Sequence, residues 1–147
     1  MIVVDDALLF AVISGRSDDV TAPYLAAAGR NELFTTSSWY WRLSRAVAHG
    51  ERGALSRPFQ ALSETDRRRV ALALADLPSG IGMLNLRNLV PVMAALPGQL
   101  NFLTAEAVAA AVMLDAGIAV TTDSDPLVRS AAAAGISVEV VRFESAE

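Results

Sequence analysis

Cysteine is absent from the 147 residues, lysine is absent too, and histidine occurs once, at His49. The first absence removes disulfides, thiolate zinc sites, iron–sulfur clusters and cysteine nucleophiles together. The second removes every mechanism that needs an amine, including the P-loop lysine and Schiff bases. A lone histidine cannot build a zinc site of histidines, and beside Gly50 it reads as a solvated residue at a helix end. Long apolar runs are missing as well: the longest uncharged stretch, 88–105, is interrupted by Pro91, Pro97, Gly98, Gln99 and Asn101. That is poor material for a spanning helix of about 20 residues. The opening Met1-Ile2-Val3-Val4-Asp5-Asp6 has two acids where a signal peptide carries a basic region. The expectation is a cytoplasmic protein with no membrane partner.

What remains for chemistry is carboxylate, hydroxyl and guanidinium. The chain is 53% hydrophobic and 19% charged, with 16 acids against 12 bases, all arginine. This is the composition of one ordered domain over 1–147, large enough to bury about 70% of the surface of its unfolded chain.

Strand and helix signals alternate along it. Ile2-Val3-Val4 is a β-branched run that delivers Asp5 at its carboxyl end, and an apolar helix follows, closed by Gly15. Asp18 and Asp19 suit the start of a second helix that stops at Gly29, and Leu33-Phe34-Thr35-Thr36 suits a second strand. Ser37 is a candidate N-cap for a helix over 38–47, and 50–58 reads as loop. Ser63 with Asp66 opens a helix over 64–77, with Val70, Leu72, Leu74 and Leu77 on its buried side and Arg67, Arg68 and Arg69 on its wet side. A strand over 81–84 and a helix over 87–96 follow. Thr104 with Glu106 opens a helix over 105–116, stopped by Gly117. Ile118-Ala119-Val120-Thr121 is a strand, Asp125-Pro126 a helix start, Gly135 its end, and 138–141 the last strand. The pattern predicts an α/β fold: a three-layer sandwich with a central, mostly parallel sheet flanked by helices.

In such sheets the binding crevice lies beyond the carboxyl ends of the strands. Asp5 and Asp6 leave the first strand there, Asp123 and Asp125 leave the fourth, and Glu106 stands in the first turn of the preceding helix. Carboxylates gathered without histidine or cysteine are the ligand set of Mg²⁺ or Mn²⁺. Each acid also has a structural reading. Asp125 caps a helix, and Glu106 suits a positive helix end. A carboxylate directly after a short apolar strand, as at Asp5, needs something to balance it.

The Ile2-Val3-Val4-Asp5 strand with its apolar helix, Leu103-Thr104-Ala105-Glu106-Ala107, and the run from Gly117 through Thr121-Thr122-Asp123-Ser124-Asp125 to Ala134-Gly135-Ile136 resemble a PIN domain of the VapC toxin type. The resemblance implies a Mg²⁺-dependent ribonuclease, a homodimer and an antitoxin partner. Asp5, Glu106 and Asp123 fall on three positions of the family's acidic quartet, and Asp125 on an accessory one. The quartet's remaining acid falls on or near Arg42, and Ala7 replaces the usual small polar residue after the first aspartate. These departures suggest an alternative: a catalytically degenerate module that binds RNA or a protein without cleavage. In that case Arg42 would occupy the space of the metal and pair with Asp5 and Asp123.

Charge is unevenly spread. The segment 42–69 has seven arginines and three acids, a net of +4, while the rest of the chain carries a net of −8. Arg42 and Arg45 are the candidate RNA-holding residues. Trp39, Tyr40 and Trp41 are consecutive, so on a helix they point three ways and at least one faces solvent. An exposed aromatic beside an arginine suits either a nucleic-acid base or a protein partner. The mean hydropathy of +0.39 also points to apolar surface for a partner to cover.

Overall fold

The computed structural model describes residues 1–50 and 55–144. Val3 and Val4 in β1 (Ile2–Val4) point into opposite cores. Val4 joins Leu8, Leu9 and Leu33, and Val3 joins Ala107, Val108 and Ile118. A strand buried on both faces has no polar side to present, hence its unbroken apolar sequence. The same holds for β4 (Gly117–Val120), where Ala119 faces the first core and Ile118 and Val120 the second.

Five parallel strands form one sheet in the order β3-β2-β1-β4-β5, with β2 at Leu33–Thr35, β3 at Ile81–Met83 and β5 at Val138–Val140. Helices α1 (Asp6–Ile13), α2 (Ala22–Gly29), α3 (Ser37–His49), α4 (Ser56–Gln60) and α5 (Glu64–Ala75) build the first core. Helices α6 (Leu86–Ala95), α7 (Phe102–Leu114) and α8 (Asp125–Ala133) build the second. Helix α3 serves both, with Leu43 in the first and Trp39 in the second. The expected α/β three-layer arrangement is therefore present, and the sheet is wholly rather than mostly parallel. Among the described residues no helix is long and apolar enough to cross a membrane.

The chain steps outward from β1 to β2 to β3, then returns to lay β4 on the other side of β1. The strand order thus reverses between β1 and β4. Segments leaving those two strands diverge, which opens a crevice at their carboxyl ends.

Several expected helix starts move. Thr36, not Ser37, caps α3, accepting from the Trp39 amide at 3.2 Å. Asn101 caps α7, accepting from the Thr104 amide at 2.8 Å, so the helix begins about a turn before the expected Thr104 start. Asp18 closes a turn rather than opening α2: it accepts from the Thr21 amide at 2.8 Å, and Pro23 sits at the true helix start. Hydrogen bonding from Thr21, with Arg16 beside it, holds the Asp18 carboxyl down to about 2. At α8 the N-cap is Ser124, and Asp125 is already helical. In α5, Val70 and Leu74 are buried four residues apart, whereas Leu72, on the opposite side, is 66% exposed. Part of the expected 50–58 loop is the short helix α4; residues 51–54, including Arg52 of the basic segment, lie outside the described residues.

Two glycines test how tightly β3 is packed. A Cβ on Gly80, just before β3, would stand 2.3 Å from the Ala28 carbonyl oxygen, whereas one on Gly29 meets nothing within 4 Å. Gly80→Ala should destabilise the fold by about 1–3 kcal/mol through overpacking against backbone. Gly29→Ala, at the end of α2, should be neutral or stabilising by up to about 1 kcal/mol. Urea unfolding of the two variants measures the contrast, and equal midpoints would contradict it.

Candidate functional site

The reversal of strand order forms a crevice of about 260 Å³, walled in part by Asp5, Asp6, Trp39, Arg42, Thr104 and Ser124. Asp5 follows β1 directly and is 4% exposed. One of its oxygens, Oδ1, accepts from the Leu8 amide at 3.0 Å and so caps α1. The other, Oδ2, accepts from the Thr121 amide at 2.6 Å and the Thr121 hydroxyl at 2.8 Å. Three donors balance the buried carboxylate, and they lie at the starts of the two segments that diverge around the crevice.

Asp6 is the residue through which Arg42 enters the site. The Arg42 Nε lies 3.3 Å from Asp6 Oδ2, while Asp6 Oδ1 accepts from the Ala7 amide at 3.0 Å. The sequence reading expected Arg42 to pair with Asp5 and Asp123; it pairs with Asp6 instead. The physical reason is local: Asp5 already accepts from Leu8 and Thr121, whereas the next carboxylate along reaches Arg42 on α3. Burial raises the Asp6 pKa above its ordinary 3.8, the nearby Arg42 charge opposes that, and Asp5 reinforces it. Desolvation wins because Arg42 is itself half exposed and screened by water.

Glu106 has no exposed surface and sits in the second turn of α7, not the first. Its Oε1 accepts from the Ser38 amide at 2.7 Å, and its Oε2 accepts from the Ser37 hydroxyl. It therefore satisfies the amino-terminal end of α3, where the helix dipole favours negative charge. Helix α7 is buried over Thr104–Ala111, so a carboxylate in it must find such partners.

Asp123 and Asp125 are both exposed, and neither is among the residues walling the crevice. Among the described residues they make no ion pair, and no three Asp, Glu or His side chains gather as a metal-holding group. The predicted acids thus divide: Asp5 lines the crevice, Glu106 tethers two helices, and Asp123 and Asp125 face solvent.

Arg45 is exposed, with its guanidinium carbon 5.6 Å from the Trp41 ring centroid. The three aromatics diverge as their spacing requires. Trp39 is 3% exposed, Tyr40 donates its hydroxyl to the Leu74 carbonyl, and Trp41 is 61% exposed. A second hollow, of about 510 Å³, is walled by Ser37, Ser38, Trp41, Arg42, Phe102 and Leu103. Arg42 and Leu103 line both it and the crevice. A further hollow of about 540 Å³ lies beside the start of β1 and mixes charges of both signs, among them Arg30, Glu32 and Glu139. Burial, with Glu139 beside it, pushes the Tyr24 hydroxyl in its wall up to about 12, so this group does not act as a base near neutrality.

Asp6 as the Arg42 partner, Thr121 as the Asp5 partner, the Ser37-Ser38 pair and Phe102 are not among the residues the sequence pattern singles out for the site. Only the serines carried a signal, being consecutive hydroxyls at a helix start. No family model matches the chain, and no curated protein matches its sequence.

Two predictions follow from these contacts. In a carboxyl NMR titration Asp6 should titrate above 3.8, and Arg42→Ala should move it higher still. A raised acid pKa means that the folded state keeps its proton longer than the unfolded chain. Stability from Asp6 is therefore lost as pH rises from the ordinary carboxylate range through the raised value, and Asp6→Asn should remove that part of the slope. If Glu106 is a tether, Glu106→Gln should keep the fold within about 1 kcal/mol, because an amide can still bond both Ser37 and Ser38. Glu106→Ala should cost about 1.5–3 kcal/mol. Thermal and urea unfolding of the pair measure this, and equal losses would argue against a tether.

Proposed function

We propose that this chain is a catalytically degenerate PIN-like module that binds single-stranded RNA at the β1–β4 crevice and its arginine-bearing rim without cleaving it. The observation that carries the reading is the Arg42–Asp6 pair, which brings a fixed guanidinium charge to the crevice wall beside Asp5. Arg42 and Arg45 are both exposed on α3, in the segment of net +4, and the rest of the chain is acidic. A segment of this charge attracts phosphate, and the acids of the rest of the chain repel it.

The donors present do not suit a resident Mg²⁺ or Mn²⁺. Asp5 accepts three hydrogen bonds, Glu106 is committed to α3, and Asp6 is paired with a guanidinium. A hard cation would have to displace these partners to gain oxygen ligands. By the same resemblance to PIN toxins, a second copy of the chain and an antitoxin belong among its proposed protein partners.

One observation favours a second reading, Mg²⁺-dependent RNA cleavage. Asp5 and Asp6 are adjacent in the crevice, and the segment after β4 carries Asp123 and Asp125 free of ion pairs among the described residues. That reading requires those carboxylates to converge on one ion.

Calorimetric titration with Mn²⁺ separates the two. The degenerate module should bind Mn²⁺ no better than millimolar, and Arg42→Glu should gain about tenfold or more, since it exchanges a repelling charge for a ligand. Equal affinities in the two proteins would remove the role given to Arg42. End-labelled single-stranded RNA should be retained intact with Mg²⁺ and with chelator alike. Cleavage abolished by chelator and by Asp123→Asn would instead establish the nuclease.

A further inference from the structure

We infer that the hollow beside the crevice is a stacking subsite for an unpaired nucleotide base, with Trp41 and Phe102 as its platforms and Arg42 and Arg45 as its phosphate contacts; this rests on the RNA-binding reading above. Trp41 and Phe102 are 61% and 53% exposed, and both wall the same hollow of about 510 Å³. Two large aromatic side chains left in water at one spot cost solvation free energy that a flat apolar body would recover.

The charges around them select what kind of body fits. Among the described residues no acid walls this hollow, whereas Arg42 does, and Arg45 lies over the Trp41 ring at 5.6 Å. The amino-terminal end of α3, otherwise an anion site, already faces Glu106 through Ser37 and Ser38. An anion here is therefore held by guanidinium rather than by free amides. A flat apolar body bearing a negative charge on one side is a nucleotide, and base stacking on aromatics tolerates any of the four bases. Because Arg42 borders both hollows, a base on Trp41 leaves its neighbouring phosphate at the rim of the crevice.

The two tryptophans make the test direct, since Trp39 is 3% exposed and serves as a buried reference for Trp41. Intrinsic fluorescence is followed during titration with an eight-nucleotide single-stranded RNA, a duplex of the same length, and heparin as a charge-only probe. The single strand should quench Trp41 emission saturably, and the other two should not. Trp41→Ala and Phe102→Ala should each weaken single-strand binding about tenfold or more while leaving the circular dichroism unchanged. Arg45→Ala should lower the slope of log affinity against log salt by about 1. Single-strand binding that survives both aromatic substitutions undiminished would overturn the stacking subsite and leave the RNA-binding reading standing. Absence of binding to any RNA would overturn both. A concentration-dependent emission shift without RNA, matched by a dimer in sedimentation, would assign the hollow to a second copy of the chain and overturn the inference.

Discussion

The carboxylate of Asp5 fastens the segments that leave β1 and β4 to each other, and the geometry of the crevice depends on that junction. β1 is three residues long and buried on both faces, so the chain leaves it inside the protein. At that depth the Leu8 and Thr121 amides need acceptors, and Asp5 supplies both. One bond starts α1 and the other fixes where the segment after β4 turns away. The strand order reverses between β1 and β4, and the helices that follow them lie on opposite faces of the sheet. Beyond the backbone ladder the Asp5 side chain joins the two segments, and a carboxylate with two oxygens suits two tasks at once.

The same economy governs the other acids. Burial decides which of them are free to act: Asp5 and Glu106, the most buried, are held by neighbouring amides and hydroxyls, because an unbalanced charge at that depth would cost several kcal/mol. Asp6, slightly nearer solvent, shares one oxygen with Arg42 and retains a raised affinity for its proton. Asp123 and Asp125, in water, need nothing. Acidity near a crevice therefore does not translate into ligands for a cation; depth and local donors intervene. The aromatic residues obey a parallel rule, in which consecutive positions on one helix send Trp39 into the core and Trp41 out of it.

The fold was legible because its signals are local. β-branched runs such as Ile2-Val3-Val4, punctuation such as Gly135, and the cap at Ser63 each depend on a few neighbouring residues, and all five strands fall where these signals lie. Helix starts were less legible because adjacent side chains compete for one role. Thr36 and Ser37 both carry hydroxyls, and only the turn of the backbone selects Thr36. Asn101 reaches the Thr104 amide as readily as Thr104 could have capped a later start. The site was least legible, since it is assembled from residues such as Ser37 and Glu106 that lie 69 positions apart. Sequence spacing can say that Glu106 is near the carboxyl ends of the strands. It cannot say that the neighbouring helix presents two donors to it. The Arg42 case is similar: whether it turns toward the acids at all, and whether it then meets the fifth or the sixth residue, depends on how α3 and α1 pack and not on spacing.

The outermost strands carry a consequence of a different kind. β3 and β5 border the sheet with three residues each, the first holding Gly82 and the second an outward Glu139. A border so short exposes few unpaired amides and carbonyls, and a charged side chain on one of them discourages a visiting strand. Sheet extension from one molecule to the next, the route to fibrous aggregates, is thereby blunted at both margins.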